Sequence, residues 1–190
     1  MRPTKREELL DKALAAFYRE GFHACGMDRL VAVTGISKTS MYKHFRTKDD
    51  LILGTLRLRD ERFRNWLFRR MAALAPTPAG QLVALFDALA EWFRQPDFRG
   101  CMFIKAAGEF QDPAHPIHVQ AAEHKRLLFH HVRDLAARAG AADPDALARR
   151  LLLLKEGAIV TAQMGHAADP AADARAVAET LVARALAPAG

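Results

Sequence analysis

Apolar residues in this chain return every third or fourth position, and no stretch alternates apolar with polar as a half-buried strand does, so the pattern predicts helices throughout. Leu10, Leu14 and Phe17, with Leu9 and Ala13 beside them, make one stripe of a first helix. Thr4 and Glu7 have capping-box spacing at its start, and Gly21 fits its end, with Phe22 placed to fold back on Phe17. Met27, Leu30 and Val33 mark a second helix that stops at Gly35, where the missing Cβ allows a positive φ. Ile36 restarts the pattern, Ser37 is a good N-cap, and Met41 and Phe45 face inward from a third, short helix. Thr47 caps the next one, with Asp50 three residues on; this long helix is expected over about 48–71, burying Leu51, Leu56, Phe63, Trp66 and Leu67. Pro76 and Pro78 end it. Further helices are expected over 81–94, 99–111, 117–139, 144–166 and 170–186, punctuated by Pro96, the Asp112–Pro116 turn, Gly140 and Asp143-Pro144. The fold class is therefore all-α, with about nine helices and no internal repeat.

With 51% hydrophobic residues in a chain of 190, a sizeable core can form. Charge changes the picture more. Residues 1–70 hold 16 of the 28 Lys and Arg against 9 of the 22 Asp and Glu, and residues 71–190 hold the remaining 12 and 13, so the net +6 resides entirely at the N-terminal end. A basic head beside a near-neutral body is the electrostatic footprint of a polyanion binder. No run of about eighteen apolar residues is present to span a bilayer. Charged residues Arg2, Lys5, Arg6 and Glu7 stand where a secretory leader would be apolar, so a cytoplasmic protein is expected. Cys25 and Cys101 lack metal-ligand spacing and read as buried free thiols.

The segment Met27 to Phe45 sets two short helices either side of a glycine turn. Lys38, Thr39, Tyr42, Lys43 and His44 lie off the Met41–Phe45 side, giving a hydrogen-bonding, cationic face suited to the major groove of DNA. From Thr4 to about Leu53 the chain resembles the N-terminal domain of TetR-family transcriptional regulators. The likeness rests on a first helix ending in Gly21-Phe22, a helix from Met27, Thr34-Gly35-Ile36-Ser37-Lys38, Ser40-Met41-Tyr42-Lys43-His44-Phe45, and Lys48-Asp49-Asp50-Leu51. Arg99-Gly100-Cys101-Met102-Phe103, with Glu109-Phe110 and His115-Pro116, resembles a C-terminal body found in one group of these regulators.

The resemblance implies a helix-turn-helix DNA-binding domain over 1–46 and a helical ligand-binding and dimerisation domain over 47–190, joined by the long helix at about 48–71. It implies a ligand-responsive repressor that binds a palindromic double-stranded DNA operator as a homodimer, answers to an unidentified small-molecule inducer and needs no cofactor. Residue by residue, it places Lys38, Thr39, Ser40, Tyr42 and Lys43 on the groove side, His44 near the helix end and Lys48 beside a phosphate. Lys38, Thr39 and Lys43 suit base edges; Tyr42 and His44 suit phosphates. The family usually carries a hydroxyl residue where Cys25 and Gly26 stand, so a phosphate contact at Gly26 would run through backbone amides alone. Arg2, Lys5 and Arg6 either reach phosphates or the minor groove or form a frayed basic terminus.

In the body, Phe86, Trp92, Phe93, Met102, Phe103, Phe110 and Phe129, with Glu109 and His124 as polar members, are either plain core or the lining of a ligand pocket. His115, His118 and His124 lack the compact spacing of a closed zinc site and read as surface histidines, so no metal is expected. No nucleophile elbow, phosphate loop or dinucleotide fingerprint is present, so no catalytic residues are assigned. Leu147, Leu151, Leu154, Ala158 and Ala162 on one late helix, and Val177, Leu181 and Ala185 on the last, suit a four-helix interface between two subunits or burial within one. The rival class is a small helical enzyme or metal-binding protein with a basic surface.

Overall fold

The computed structural model describes residues 3–187, which form helices joined by short turns, with no strand among them. The helices are α1 (Lys5–Glu20), α2 (Met27–Thr34), α3 (Lys38–His44), α4 (Lys48–Leu74), α5 (Pro78–Phe93), α6 (Met102–Glu109), α7 (Pro116–Arg138), α8 (Pro144–Met164) and α9 (Pro170–Leu186). Local chemistry sets most of their ends. The Thr4 hydroxyl accepts from the Glu7 amide while the Glu7 carboxylate accepts from the Thr4 amide. Thr47 and Asp50 exchange the same pair of bonds, each 3.0 Å long. α4 runs on to Leu74 rather than 71, and two helix starts differ from expectation. α5 starts at Pro78 rather than Gln81 because the Thr77 hydroxyl caps the Gly80 amide, which lets the proline occupy the first turn. α6 starts at Met102 rather than near Arg99 because Gly100 sits at φ +80°, outside helical geometry.

The chain divides into two compact units. One comprises the described residues up to Phe63 together with Met102–His124; the other comprises Arg64–Cys101 and the described residues from Lys125 onward. In the first, Phe17, Phe22, Leu30, Met41, Ile52 and Leu56 are almost wholly buried and tie α1, α2, α3 and α4 to one core. Its interior also holds a polar contact: Asp60 of α4 lies 2.7 Å from Nδ1 of His124, whose ring stacks on Phe103 at 3.7 Å. In the second unit, α9 packs along both α5 and α8. Ala171, Ala174 and Ala178 are buried on the inward face of α9, and their small side chains permit close approach. Lys155 is buried on α8, its ammonium 2.8 Å from Glu156, which also receives Lys125 at 2.7 Å. No helix of the described residues is long and apolar enough to cross a membrane.

Candidate nucleic-acid interface

α3 owes its shape to its two ends and to one buried side. The Ser37 hydroxyl accepts from the Ser40 amide at 3.3 Å, and the Phe45 amide donates to the Met41 carbonyl at 2.9 Å. Met41 and Phe45 are buried, which fixes the helix rotation and turns Lys38, Thr39, Tyr42, Lys43 and His44 to solvent. Ser40 and Lys48 are partly covered at the edges of this face. Tyr42 is 45% exposed despite its size, an aromatic ring and hydroxyl left free of the core.

The helix before it is locked in place. Gly35 takes φ +68° and its amide closes α2 on the Val31 carbonyl at 3.0 Å, a left-handed C-cap that an L side chain would strain. The Thr34 hydroxyl donates back to Leu30 and accepts the Ile36 amide, so the turn into α3 has no loose polar group at that point. Lys12 of α1 donates to the Thr34 carbonyl at 2.9 Å, and Arg29 of α2 grips Glu20 through two bonds of 2.8 Å. Those bonds from Arg29, with Arg19 adding to them, hold the Glu20 carboxyl down to about 2, so this contact persists at any moderately acidic pH and is lost only as pH falls through that value. Gly26 stands at the N-cap of α2 with no side-chain cap, and beyond its chain neighbours nothing lies within 4 Å of where its Cβ would stand. Arg6 lies 5.0 Å above the Phe45 ring and is thereby tied to the head, whereas Arg2 lies outside the described residues. Lys38 meets Asp28 at 3.4 Å in an exposed pair, a contact of little energy.

Elsewhere the structure redistributes the candidate residues. Phe86, Trp92, Phe93 and Phe129 fall in the second unit, and Met102, Phe103, Glu109, Phe110 and His124 in the first. His124 is buried beside Asp60 rather than at the surface, because α6 and α7 close over it and the carboxylate satisfies its ring. Glu109 accepts backbone amides of the first unit instead of standing among the body aromatics. Two adjoining clefts of about 230 and 250 Å³ open in the second unit; Ala90, Arg94 and Asp169 border both, with Phe93 in one and Phe86 in the other. No group of three or more potential metal ligands comes together among the described residues. Cys25 and Cys101 are buried free thiols, and burial pushes the Cys25 thiol up.

On α8 and α9 the inward face includes Leu147, Leu151 and Ala158, buried within the unit itself and so turned away from any partner. Leu154, Ala162, Leu181 and Ala185 are half-buried, and Val177 is 47% exposed. The open apolar stripe of α8 is a neighbouring one, Leu153, Val160 and Met164, with Leu153 74% and Met164 70% exposed. A run of four leucines, Leu151–Leu154, puts apolar side chains on every face of the helix, so periodicity there could not choose the inward side.

An N-terminal helix-turn-helix carrying an exposed cationic helix, joined to a helical body, defines a DNA-binding regulatory protein. Comparison with known proteins gives the family. Residues 9–55 match the model of bacterial regulatory proteins of the tetR family, and residues 78–178 match the tetracyclin repressor-like C-terminal domain. A TetR-family transcriptional regulator from Streptomyces coelicolor has 32% identity and a TM-score of 0.87, with 96% of each chain covered. A TetR-type transcriptional regulator from Streptomyces avermitilis has 34% identity and a TM-score of 0.83 over 96% of this chain and 98% of its own. The HTH-type transcriptional regulator YjdC of Escherichia coli is 24% identical over 82% of this chain and 81% of its own. The chain belongs to the TetR family of transcriptional regulators, a family of DNA-binding proteins and not of enzymes.

Proposed function

We propose that this regulator is a ligand-responsive repressor that binds a palindromic operator as a homodimer, with residues 1–46 as the DNA-binding domain and 47–190 as the ligand-binding and dimerisation domain. The observation that carries the reading is the rotation of α3: with Met41 and Phe45 buried, the face that remains holds Lys38, Thr39, Tyr42, Lys43 and His44. Ammonium groups at Lys38 and Lys43 donate to guanine O6 and N7, the Thr39 methyl meets a thymine methyl, and Tyr42, His44, Lys48 and the amides after Gly26 hold phosphates. One seven-residue helix reads only a few base pairs, so a useful site needs two heads roughly 34–36 Å apart on successive major grooves. The bare stripe Leu153–Val160–Met164 of α8, together with Val177 of α9, supplies the apolar surface for that pairing. Inducer entering the body lowers operator affinity by favouring a conformation with the heads at another spacing; a coupling of about 1–3 kcal/mol gives roughly 5- to 150-fold.

The test is a titration of labelled duplex from the promoter beside the protein's own gene, repeated over a range of salt. Binding should saturate, and log affinity should fall with log salt by about 0.9 per phosphate neutralised. Lys43→Ala should weaken binding and leave the melting temperature unchanged. A salt slope near zero, or a Lys43→Ala variant with wild-type affinity, overturns the assignment.

A further inference from the structure

The α1–α2 turn is held by a helix far along the chain. The Glu109 carboxylate, at the last residue of α6, accepts the Phe22 amide at 3.0 Å and the His23 amide at 2.6 Å, one oxygen each. His23 answers through Nε2, which lies 2.9 Å from the Glu109 carbonyl oxygen. One turn back on α6, Lys105 donates to the Tyr18 carbonyl in the last turn of α1 at 3.2 Å, with its ammonium 5.2 Å from the Tyr18 ring. The polarity is matched: a cation meets the carbonyl end of α1, and an anion meets the amides that follow it. Phe110 adds an apolar clasp, its ring 4.7 Å from His23 and 6.1 Å from Phe22. Gly21 completes the fit, since a Cβ there would come within 3.0 Å of Glu109 Oε1.

None of these groups lies on the exposed face of α3, yet together they fix how the helix-turn-helix is set against α6. We infer that Glu109 and Lys105 are positioning residues for operator recognition: they set the orientation of the recognition helix, and through it the spacing of the two heads, without touching DNA. This rests on the operator-binding reading above. The clamp gives α6 a direct hold on the head, independent of the connection through α4. A carboxylate bonded to two consecutive amides resists both sliding and rotation of the turn, which a single bond would not.

The experiment uses the full chain with Glu109→Gln, Glu109→Ala and Lys105→Met, and duplexes selected by the wild-type protein from a random pool. Each variant is titrated against the full two-half site, against a single half-site, and against full sites with one base pair added or removed at the centre. Glu109→Ala should lose about tenfold or more on the full site, equivalent to 1.4 kcal/mol. It should keep half-site affinity within about twofold and discriminate less between spacings, because each head still reads its bases but its setting is loose. Glu109→Gln, which keeps one acceptor, and Lys105→Met should show the same pattern more weakly. Equal losses on full and half sites would mean a damaged head, and unchanged full-site affinity would mean an idle clamp; either overturns the inference. Failure of the wild-type chain to retain any duplex would instead remove the operator-binding reading on which this rests.

Discussion

Gly54 of α4 has no space for a side chain, and a methyl group there is a test of how the recognition helix is held. A Cβ at this position would lie 2.8 Å from Cδ2 of Leu10 and 3.0 Å from Cε1 of Phe45. Carbon atoms in ordinary contact stand about 3.5–4.0 Å apart, so Gly54→Ala requires both side chains to retreat by on the order of half to one ångström. Neither has room: Leu10 is 6% exposed and Phe45 7%. Alanine gains about 1 kcal/mol over glycine in a helix interior, while overpacking a filled core costs about 1–3 kcal/mol. The balance is a loss of up to about 2 kcal/mol, or a fall in Tm of up to roughly 8 °C in a chain of this size. The damage is not spread evenly. Phe45 closes α3 through its amide bond to Met41, so a displaced ring tilts the recognition helix. Operator affinity measured by fluorescence anisotropy at fixed salt should therefore drop by about tenfold for each 1.4 kcal/mol expressed at α3. A variant with raised Tm and unchanged affinity would refute the argument, since it would show that Leu10 and Phe45 yield without cost.

Two further substitutions probe the second unit. Val160→Asp on the exposed stripe of α8 should convert the proposed dimer to monomer in sedimentation velocity with little change in helix content; a wild-type dimer whose sedimentation coefficient the substitution leaves unaltered would place the subunit interface elsewhere. Burial, with Lys125 adding to it and Glu156 opposing, holds the Lys155 ammonium below its ordinary 10.5. Its folded value lies under its unfolded one, so the penalty of burying this charge is complete below the folded value and is relieved as pH climbs from there toward 10.5. Lys155→Met should then be neutral or stabilising by about 1–4 kcal/mol in thermal melts, whereas Glu156→Gln, which removes the negative charge facing both ammonium groups, should cost about 3–5 kcal/mol. The reverse ranking would disprove this account.

What could be seen in the sequence was what is local. The Thr4–Glu7 and Thr47–Asp50 boxes, the Ser37 cap and the Gly35 turn each depend on residues within four positions, and all four form. The exposed face of α3 was legible for the same reason, because helical spacing from Met41 to Phe45 dictates which residues remain outside. The Glu109 clamp spans 87 residues to Phe22 and the Asp60–His124 contact spans 64, and neither has a local signature. A weaker signal was available for the second. Asp60 interrupts the buried stripe of Ile52, Leu56, Phe63 and Leu67, and an acid at a core position requires a partner from elsewhere. Lys155, between Leu151 and Ile159 on α8, carries the same message. An aromatic at helical spacing reports burial and not which unit buries it, so the sequence did not assign Phe86 and Phe103 to their separate units.

The first unit is assembled from two separate stretches, the chain up to Phe63 and Met102–His124. A ribosome making this protein therefore releases the whole recognition helix long before it releases the segment against which the α1–α2 turn seats. Until that later stretch emerges, the α1–α2 turn lacks the Glu109 and Lys105 bonds that seat it. A fragment cut after the third helix would lack both those bonds and the α4 side chains Leu51, Ile52 and Leu56, and so would inherit the side chains for DNA without the core that presents them.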